Sequence, residues 1–485
     1  MGERYLGTYG ERDHPHHTGE LVVDGKETRL KFIGQGLESL HNATTIYGKT
    51  EKNEKVSCLD CFVTKTARPF FDSGEHFERL EMLPNFVLIG KEHIDPTQPV
   101  VQAARFKFTD TKLFFEDRNA FGAMFKVSAE LQSLFDTRLP PVQRTAGKDS
   151  LLSYFSGDFN IVKCENDLGI FSAGYSFNVE SGSPFTYDID LTLKFNEAIH
   201  FHECLRRISA IRRFFTVLTG RPQAFLHQEL VVSCATASGD SSATPLRMHL
   251  ANPPSGPSTP ASKYFIDAPI HPHNENQPFA CVMRDWLSVD EARHMSRRQY
   301  VECVEDETRY TTGRLVAAAN MFDTLPADAL PPDVTLPEDF ENAVSESVAI
   351  FESLPKTDFR DSMLGHFKRL KKPSLPAKVY YRSSLICSRM AEPLPNLNDV
   401  LRIGCRFRNF LVHGDPKFPY RKYESLLPFL TDTLEFVFAA SDLIDAGWDI
   451  EQWCVDNIWG NHKFTIYRRD YPQWIEVFMT AKNGP

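Results

Sequence analysis

No stretch of this chain approaches the ~20 consecutive apolar residues that a bilayer-spanning helix needs, and residues 1–19 are polar rather than a leader-like apolar run. Neither a membrane anchor nor a secretory signal is therefore expected, and the cytoplasm is the expected compartment. Positive charge is short as well: 54 Lys and Arg stand against 64 Asp and Glu, for a net charge of −10. Without a basic excess, any contact with nucleic acid has to be local rather than spread over the surface. Ten cysteines are scattered without a dense pattern, as free thiols in a reducing compartment would be. Cys58-Leu59-Asp60-Cys61 has no second pair at zinc spacing, and His14, His16 and His17 have no thiol nearby. A strand position and a flexible polar end are the expected meanings, with no metal and no other cofactor.

What is present points to a large folded core. At 485 residues, 42% hydrophobic and 24% charged, the chain should form two or three domains. Phenylalanine, at 38 residues against 15 tyrosines, should fill much of the interior.

The N-terminal half reads as β-rich. Short strand-like runs at Leu21–Val23, Arg29–Ile33, Val56–Thr64, Phe86–Ile89 and Ala104–Phe108 are separated by Gly, Asn, Asp and Pro. Phe159–Cys164, Gly169–Val179, Tyr187–Phe195 and Phe225–Cys234 continue the pattern. Strands at this spacing predict a sandwich or barrel. One helix interrupts them, from about Asn196 to Leu218, with Arg206, Arg207, Arg212 and Arg213 between its apolar positions. That basic helix reads either as a solvated face beside a core or as an RNA or partner contact. Residues 235–262 are rich in Ser and Pro and read as a mobile loop, with room for a short strand at Pro245–Leu250.

Beyond a boundary placed between Pro269 and Asp290, the periods become helical. Arg314–Leu325, Asp339–Leu354, Phe359–Lys372, Ala377–Met390, Asn398–Val412 and Tyr420–Ala446 carry apolar stripes, with Pro428 set to kink the last helix or delay its start. Helices joined by short loops predict an antiparallel bundle. Residues from Asp449 on, with Trp453, Trp459 and Trp474, are expected to form a packed tail. The expected class is α+β and multidomain, with a β-rich region over 1–285, divisible into two subdomains, and an all-α bundle with its tail over 286–485.

The segment best suited to chemistry is Arg408-Asn409-Phe410-Leu411-Val412-His413-Gly414-Asp415-Pro416. Arginine can hold a phosphate through two parallel hydrogen bonds, and histidine exchanges protons near neutral pH. Val400, Ile403, Phe407 and Leu411 mark the buried stripe of the helix leading into it. In an unbroken helix Arg408 and His413 would lie about 140° apart around the axis. Two arrangements could bring them to one phosphate. Gly414 and Pro416 could let the last turn unwind at His413, or Arg408 of one chain could meet His413 of a second across a two-fold axis.

An Arg, a polar residue, and a His after four intervening positions, within a helical bundle, resembles the HEPN domain. A β-rich region of roughly 280 residues ahead of that bundle resembles the ApeA family of bacterial anti-phage proteins. The resemblance implies a metal-independent endoribonuclease that works as a homodimer or higher homo-oligomer. In it the RNA 2′-hydroxyl attacks the adjacent phosphorus and leaves a cyclic phosphate. His413 would then act as general acid or base and Arg408 would neutralise charge on the phosphoryl oxygens. Asn409 would bind the phosphate or orient the histidine, and Asp323 would match an acidic position on the first bundle helix. Lys417, Arg421 and Lys422 beyond the motif, with Arg406 and Lys371, are the expected RNA contacts.

The implied partners are host or phage RNA, tRNA among the candidates, and a phage-derived trigger sensed by the β-rich half, with no membrane. The alternative is an inactive HEPN bundle that only dimerises or binds nucleotide, the β-rich half serving as a recognition domain.

Overall fold

The computed structural model describes residues 2–12, 16–67, 78–126, 128, 130–131, 133, 137, 151–178, 186–235, 241–261, 267–273, 278–390, 394–456 and 460–484. In chain order the first strands are β1 (Glu3–Gly10), β2 (His17–Val23), β3 (Arg29–Gly34), β4 (Thr45–Thr50), β5 (Lys55–Ala67), β6 (Glu78–Gly90) and β7 (Val101–Phe108). After helix α1 (Thr111–Phe115) come β8 (Phe121–Phe125), β9 (Leu151–Phe155), β10 (Asn160–Asn166), β11 (Gly169–Asn178) and β12 (Thr186–Ile199). Helix α2 (Phe201–Thr219) precedes β13 (Phe225–Ala235) and β14 (Ser241–Leu250).

Of the two β architectures the sequence allows, the barrel forms. Strands β6, β3, β2, β1, β4 and β5 pair in that order, and β5 pairs back to β6 to close six strands. Closure leaves no edge strand open to wrong pairing. Tyr9, Leu21, Leu30, Phe32, Ile46, Val56, Cys58, Leu80, Met82 and Ile89 fill the interior. Gly48 makes room there, since a Cβ at that position would sit 2.2 Å from the Tyr9 ring. The expected flexible polar end is thus partly a barrel strand, because Tyr5 and Tyr9, four residues apart on one face of β1, bury into the barrel core. His17 lies buried on β2 against Phe32, while His14 is outside the described residues. Cys58 and Cys61 sit on β5 with burial pushing the Cys61 thiol up to about 12.

A second, open sheet continues from the barrel as β6-β14-β13-β7-β12-β11-β10. β6 is the shared strand: Glu78–Met82 pair with β3 and Phe86–Gly90 with β14. The short strand allowed at Pro245–Leu250 is present and starts earlier, at Ser241, so the expectation of a mobile loop over 235–262 is corrected for its middle part. β14 hydrogen-bonds on both edges, to β13 and β6, and ties the barrel to the open sheet; positions 236–240 and 262 lie outside the described residues. The basic helix α2 begins at Phe201 rather than Asn196, since β12 runs on to Ile199. Its arginines are ion-paired. Arg206 and Arg207 bond Glu203, Arg212 reaches Glu305 at 3.0 Å, and Arg213 pairs with Asp290. α2 packs its apolar positions into the core and leaves His202 and Arg206 exposed, which fits the expected solvated face beside a core.

The helical half comprises α3 (Phe279–Ser288), α4 (Asp290–Glu305), α5 (Thr312–Asp323), α6 (Glu338–Ser353), α7 (Asp358–Arg369), α8 (Leu375–Cys387), α9 (Leu397–His413), α10 (Tyr420–Tyr423), α11 (Leu427–Asp445), α12 (Ile450–Asp456) and α13 (Lys463–Asn483). Side-chain oxygens of Thr311, Thr357 and Ser374 cap α5, α7 and α8. Pro428 falls in the first turn of α11, which delays the helix as one of the two expectations had it. Helix α4 escaped sequence reading, and the packed tail is largely the 21-residue helix α13. Trp453 is buried and its indole N–H donates to the Asp267 carbonyl; Trp459 is outside the described residues. One apolar core runs without interruption from Phe106 and Phe215 of the β-rich half to Trp286, Phe322, Leu434 and Phe478 of the helical half. Among the described residues no helix is long and apolar enough to cross a membrane.

Candidate active site

Helix α9 buries Val400, Ile403 and Phe407 and leaves Arg402, Arg406 and His413 exposed, as the stripe requires. The helix does not unwind before His413. It ends there, and Gly414 adopts the left-handed conformation at φ 73° that an L side chain disfavours, its N–H donating to the Phe410 carbonyl at 2.9 Å. The 140° separation is overcome instead by the length of the arginine side chain. Arg408 Nη1 lies 3.5 Å from His413 Nε2 within a single chain.

Helix α5 crosses beneath this end of α9 and holds the guanidinium in place. Asn320 Oδ1 accepts from Arg408 Nε at 3.1 Å and from Nη2 at 2.8 Å. One turn on, Asp323 Oδ2 stands 3.6 Å from Nη2, because residues three apart share a helix face. Asn409 Oδ1 accepts from Arg408 Nη1 at 3.1 Å. Lys378 of α8 completes the cluster with Nζ 3.0 Å from Asp323 Oδ1. Arg408, Asn409, His413 and Asp323, distant or opposed in sequence, therefore form one group. The Arg408 side chain is 17% exposed, enough to be reached from solvent while its orientation is set from below.

Asn320 and Lys378 were not singled out as functional residues in the sequence. The only signal was Asn320 three residues before Asp323; nothing in the chain order announces that Lys378, 55 residues further on, meets that carboxylate. Cys405 lies on the same helix, but burial, with Asp323 adding to it, pushes its thiol up to about 12, so it is no nucleophile.

The expected RNA contacts separate. Lys417 and Arg421 are exposed just past the motif, and Arg406 places its guanidinium 5.6 Å from the Phe418 ring centre. Lys422 is instead committed to the Gly484 carbonyl at 2.7 Å, and Lys371 to Glu341 at 2.7 Å. The wall beside the site is aromatic, with Phe410 stacked on Tyr420 at 5.4 Å.

A guanidinium aimed by a neutral amide and a carboxylate, next to an exposed imidazole, can bind a phosphoryl oxygen and move a proton beside it. Among the described residues no group of three or more His, Cys, Asp or Glu is placed to hold a metal ion. Residues 4–279 match the family model of ApeA N-terminal domain 1, and residues 316–452 match that of the Apea-like HEPN domain. Comparisons with curated proteins and with solved structures find no match.

Proposed function

Since the chain belongs to the ApeA family and carries a HEPN domain, we propose that it is a metal-independent endoribonuclease acting as an anti-phage effector. The observation that carries this reading is the Arg408–His413 approach of 3.5 Å on a helix end that faces solvent. The guanidinium stabilises charge growing on the scissile phosphate, preorganised by Asn320 and Asp323 so that little reorientation is needed at reaction. His413 takes the proton from the RNA 2′-hydroxyl or gives one to the leaving 5′-oxygen, and a second histidine supplied by a partner copy performs the opposite transfer. Asn409 keeps Nη1 of Arg408 turned toward the histidine. Lys417, Arg421 and Arg406 bind flanking phosphates, which adds affinity without sequence choice. The β-rich half restrains the bundle until a phage-derived trigger is met.

The test incubates purified protein with total RNA, tRNA included, in EDTA. Fragments with cyclic-phosphate ends are expected, and Arg408→Ala and His413→Ala should each abolish them with the melting transition retained. Full cleavage by either variant removes the catalytic assignment. Silencing by EDTA points to a metal nuclease. A second reading, a bundle that only dimerises or binds nucleotide, draws support from the number of internal partners Arg408 already has. It predicts no cleavage even with a trigger added.

A further inference from the structure

A cavity of about 620 Å³ lies between the end of α2, the segment at Ser258–Thr259 and the helices α4, α11 and α13. It is separate from the Arg408 cluster and falls in the size range of small-molecule sites. Lys463, the first residue of α13, lines it. About 30% of the Lys463 side chain is exposed, yet its Nζ is buried and has no hydrogen-bond partner among the described residues. The nearest carboxylate, Glu435, is 3.9 Å away, and both its oxygens are already held by Arg314 at 2.7 and 2.9 Å. A buried ammonium without an acceptor is unfavourable, and burial pushes its pKa down accordingly.

Asp432 lines the same space and calls for donors. Its two oxygens accept from the single Tyr310 hydroxyl, at 2.7 and 2.8 Å, which leaves lone pairs unused. Burial, reinforced by Glu435, pushes its carboxyl up to about 6. The walls are flat and apolar, with Phe436 stacked on Tyr467 at 4.5 Å and Phe429 parallel to Trp474 at 5.9 Å. Glu307 and Asp470 add two more carboxylates to the lining. The second cation, Arg221, is occupied by the Thr259 carbonyl and by Asp110. With Glu435 held by Arg314, Asp470 by Arg469 and Glu307 by the Ser258 N–H, Asp432 and Lys463 remain as one acceptor and one donor facing the space, which suits an uncharged planar ligand with both donors and an acceptor better than a polyphosphate.

We propose that this cavity binds a guanine-type base, with Asp432 accepting from the ring N–H and exocyclic amine and Lys463 donating to the ring carbonyl. Guanine is the base whose edge sets two adjacent donors beside a carbonyl acceptor, and aromatic walls hold any base by its face. The base belongs either to a free nucleoside or to an unpaired guanosine of an RNA. The site goes beyond the ribonuclease reading and does not depend on it.

Calorimetric titration of the full chain tests this with guanosine, adenosine, inorganic phosphate and a short oligoribonucleotide carrying one unpaired guanosine. Guanosine, the oligonucleotide or both should bind at least tenfold tighter than adenosine. If guanosine alone binds, the source is the nucleoside; if the oligonucleotide alone binds, it is RNA. Lys463→Met and Asp432→Asn should each weaken the interaction at least tenfold. In the ligand-free state Lys463→Met should raise the melting temperature, since an unsatisfied buried charge is gone. Absence of binding by both guanine probes at millimolar concentration overturns the proposal, as does equal binding of phosphate or binding that neither variant alters. If Lys463→Met fails to fold, Asp432→Asn decides alone. Cleavage is not a readout, so failure here leaves the ribonuclease reading standing, and the reverse holds as well.

Discussion

Two arginine clusters in the helical half use the same side chain for opposite ends. Beneath α4 and α11, Arg297 is 1% exposed and donates Nε to Asp442 at 2.9 Å and Nη1 to the Trp286 carbonyl at 2.9 Å, with its plane 3.4 Å over the Trp286 ring. Arg293 bonds Asp442 and Asp445 at 2.8 Å each, and Arg382 bonds Asp445 at 2.6 Å. Arg213 of α2 joins the same network through Asp290, which ties the β-rich half to the bundle. Around Arg408 the partners are weaker: the neutral amides of Asn320 and Asn409 take its donors, and the carboxylate stands off at 3.6 Å. The buried cluster balances its charges internally and is shut away from solvent, although Arg293 Nε and Arg382 Nη2 have no hydrogen-bond partner among the described residues. The other keeps one edge of its guanidinium toward an exposed histidine, which is what binding a transient charge requires.

The comparison breaks first if the buried cluster proves dispensable. Arg297→Ala or Asp442→Ala should cost about 3–5 kcal/mol, because either strips a buried charge of one of its counter-charges; urea unfolding that shows less than ~1 kcal/mol lost would show that the network is not needed for stability. The network also makes a pH prediction. Burial alone would push the Asp442 carboxyl up, but Arg297 and Arg293 overcome it and hold it down to about 2. A depressed carboxyl stabilises the fold above its unfolded value near 3.9 and loses that contribution as pH falls through 2, about 3 kcal/mol in all. Acid unfolding of Asp442→Asn should accordingly be shallower over pH 4 to 2 than that of the wild type.

At the open cluster the expected change is in rate, not stability. Asn320→Ala should lower RNA cleavage roughly tenfold to a hundredfold through loss of guanidinium orientation, while unfolding moves by less than ~1 kcal/mol. Asn320→Asp, which keeps the acceptor oxygen, should retain more activity than the alanine variant; equal loss in both would deny the positioning role.

The smallest effect belongs to the α6–α7 hairpin, in which none of the residues is fully buried and Phe340, Ile350 and Phe359 are 65%, 62% and 72% exposed. Phe359→Ser should shift stability by no more than ~0.5 kcal/mol, as surface changes do. A larger loss would mean that this hairpin is covered in solution and belongs with the buried regions.

Much of the architecture could be read in advance because it rests on local pattern. Short strand-like runs between turn-forming residues marked nine of the strands, and apolar stripes marked α5 through α9, since burial of one face imposes a 3.6 period on a helix. α4 was missed for the converse reason. Asp290, Arg293 and Arg297 carry charge on the face that turns out to be buried, so its stripe looks like a solvated surface. The end of β14, Pro245–Leu250, was legible as a short strand, whereas its start at residues 241–244 hides in a Ser- and Ala-rich stretch that becomes a strand only by pairing with β13. At the site, Arg408, Asn409 and His413 were legible as a motif, and Asp323 as an acidic position.

The sequence by itself determined the β-then-α order, the helix that ends at His413 and the residue types available for phosphate chemistry. Those follow from near-neighbour sterics and periodic burial, which act over a few residues. Tertiary structure alone decided that Arg408 reaches His413 within one chain, that Asn320 and Lys378 complete the cluster, and that Arg212 and Arg213 of the basic helix α2 are tied to the bundle. These depend on which helices cross and where long side chains find partners, quantities set by packing between segments tens to hundreds of residues apart.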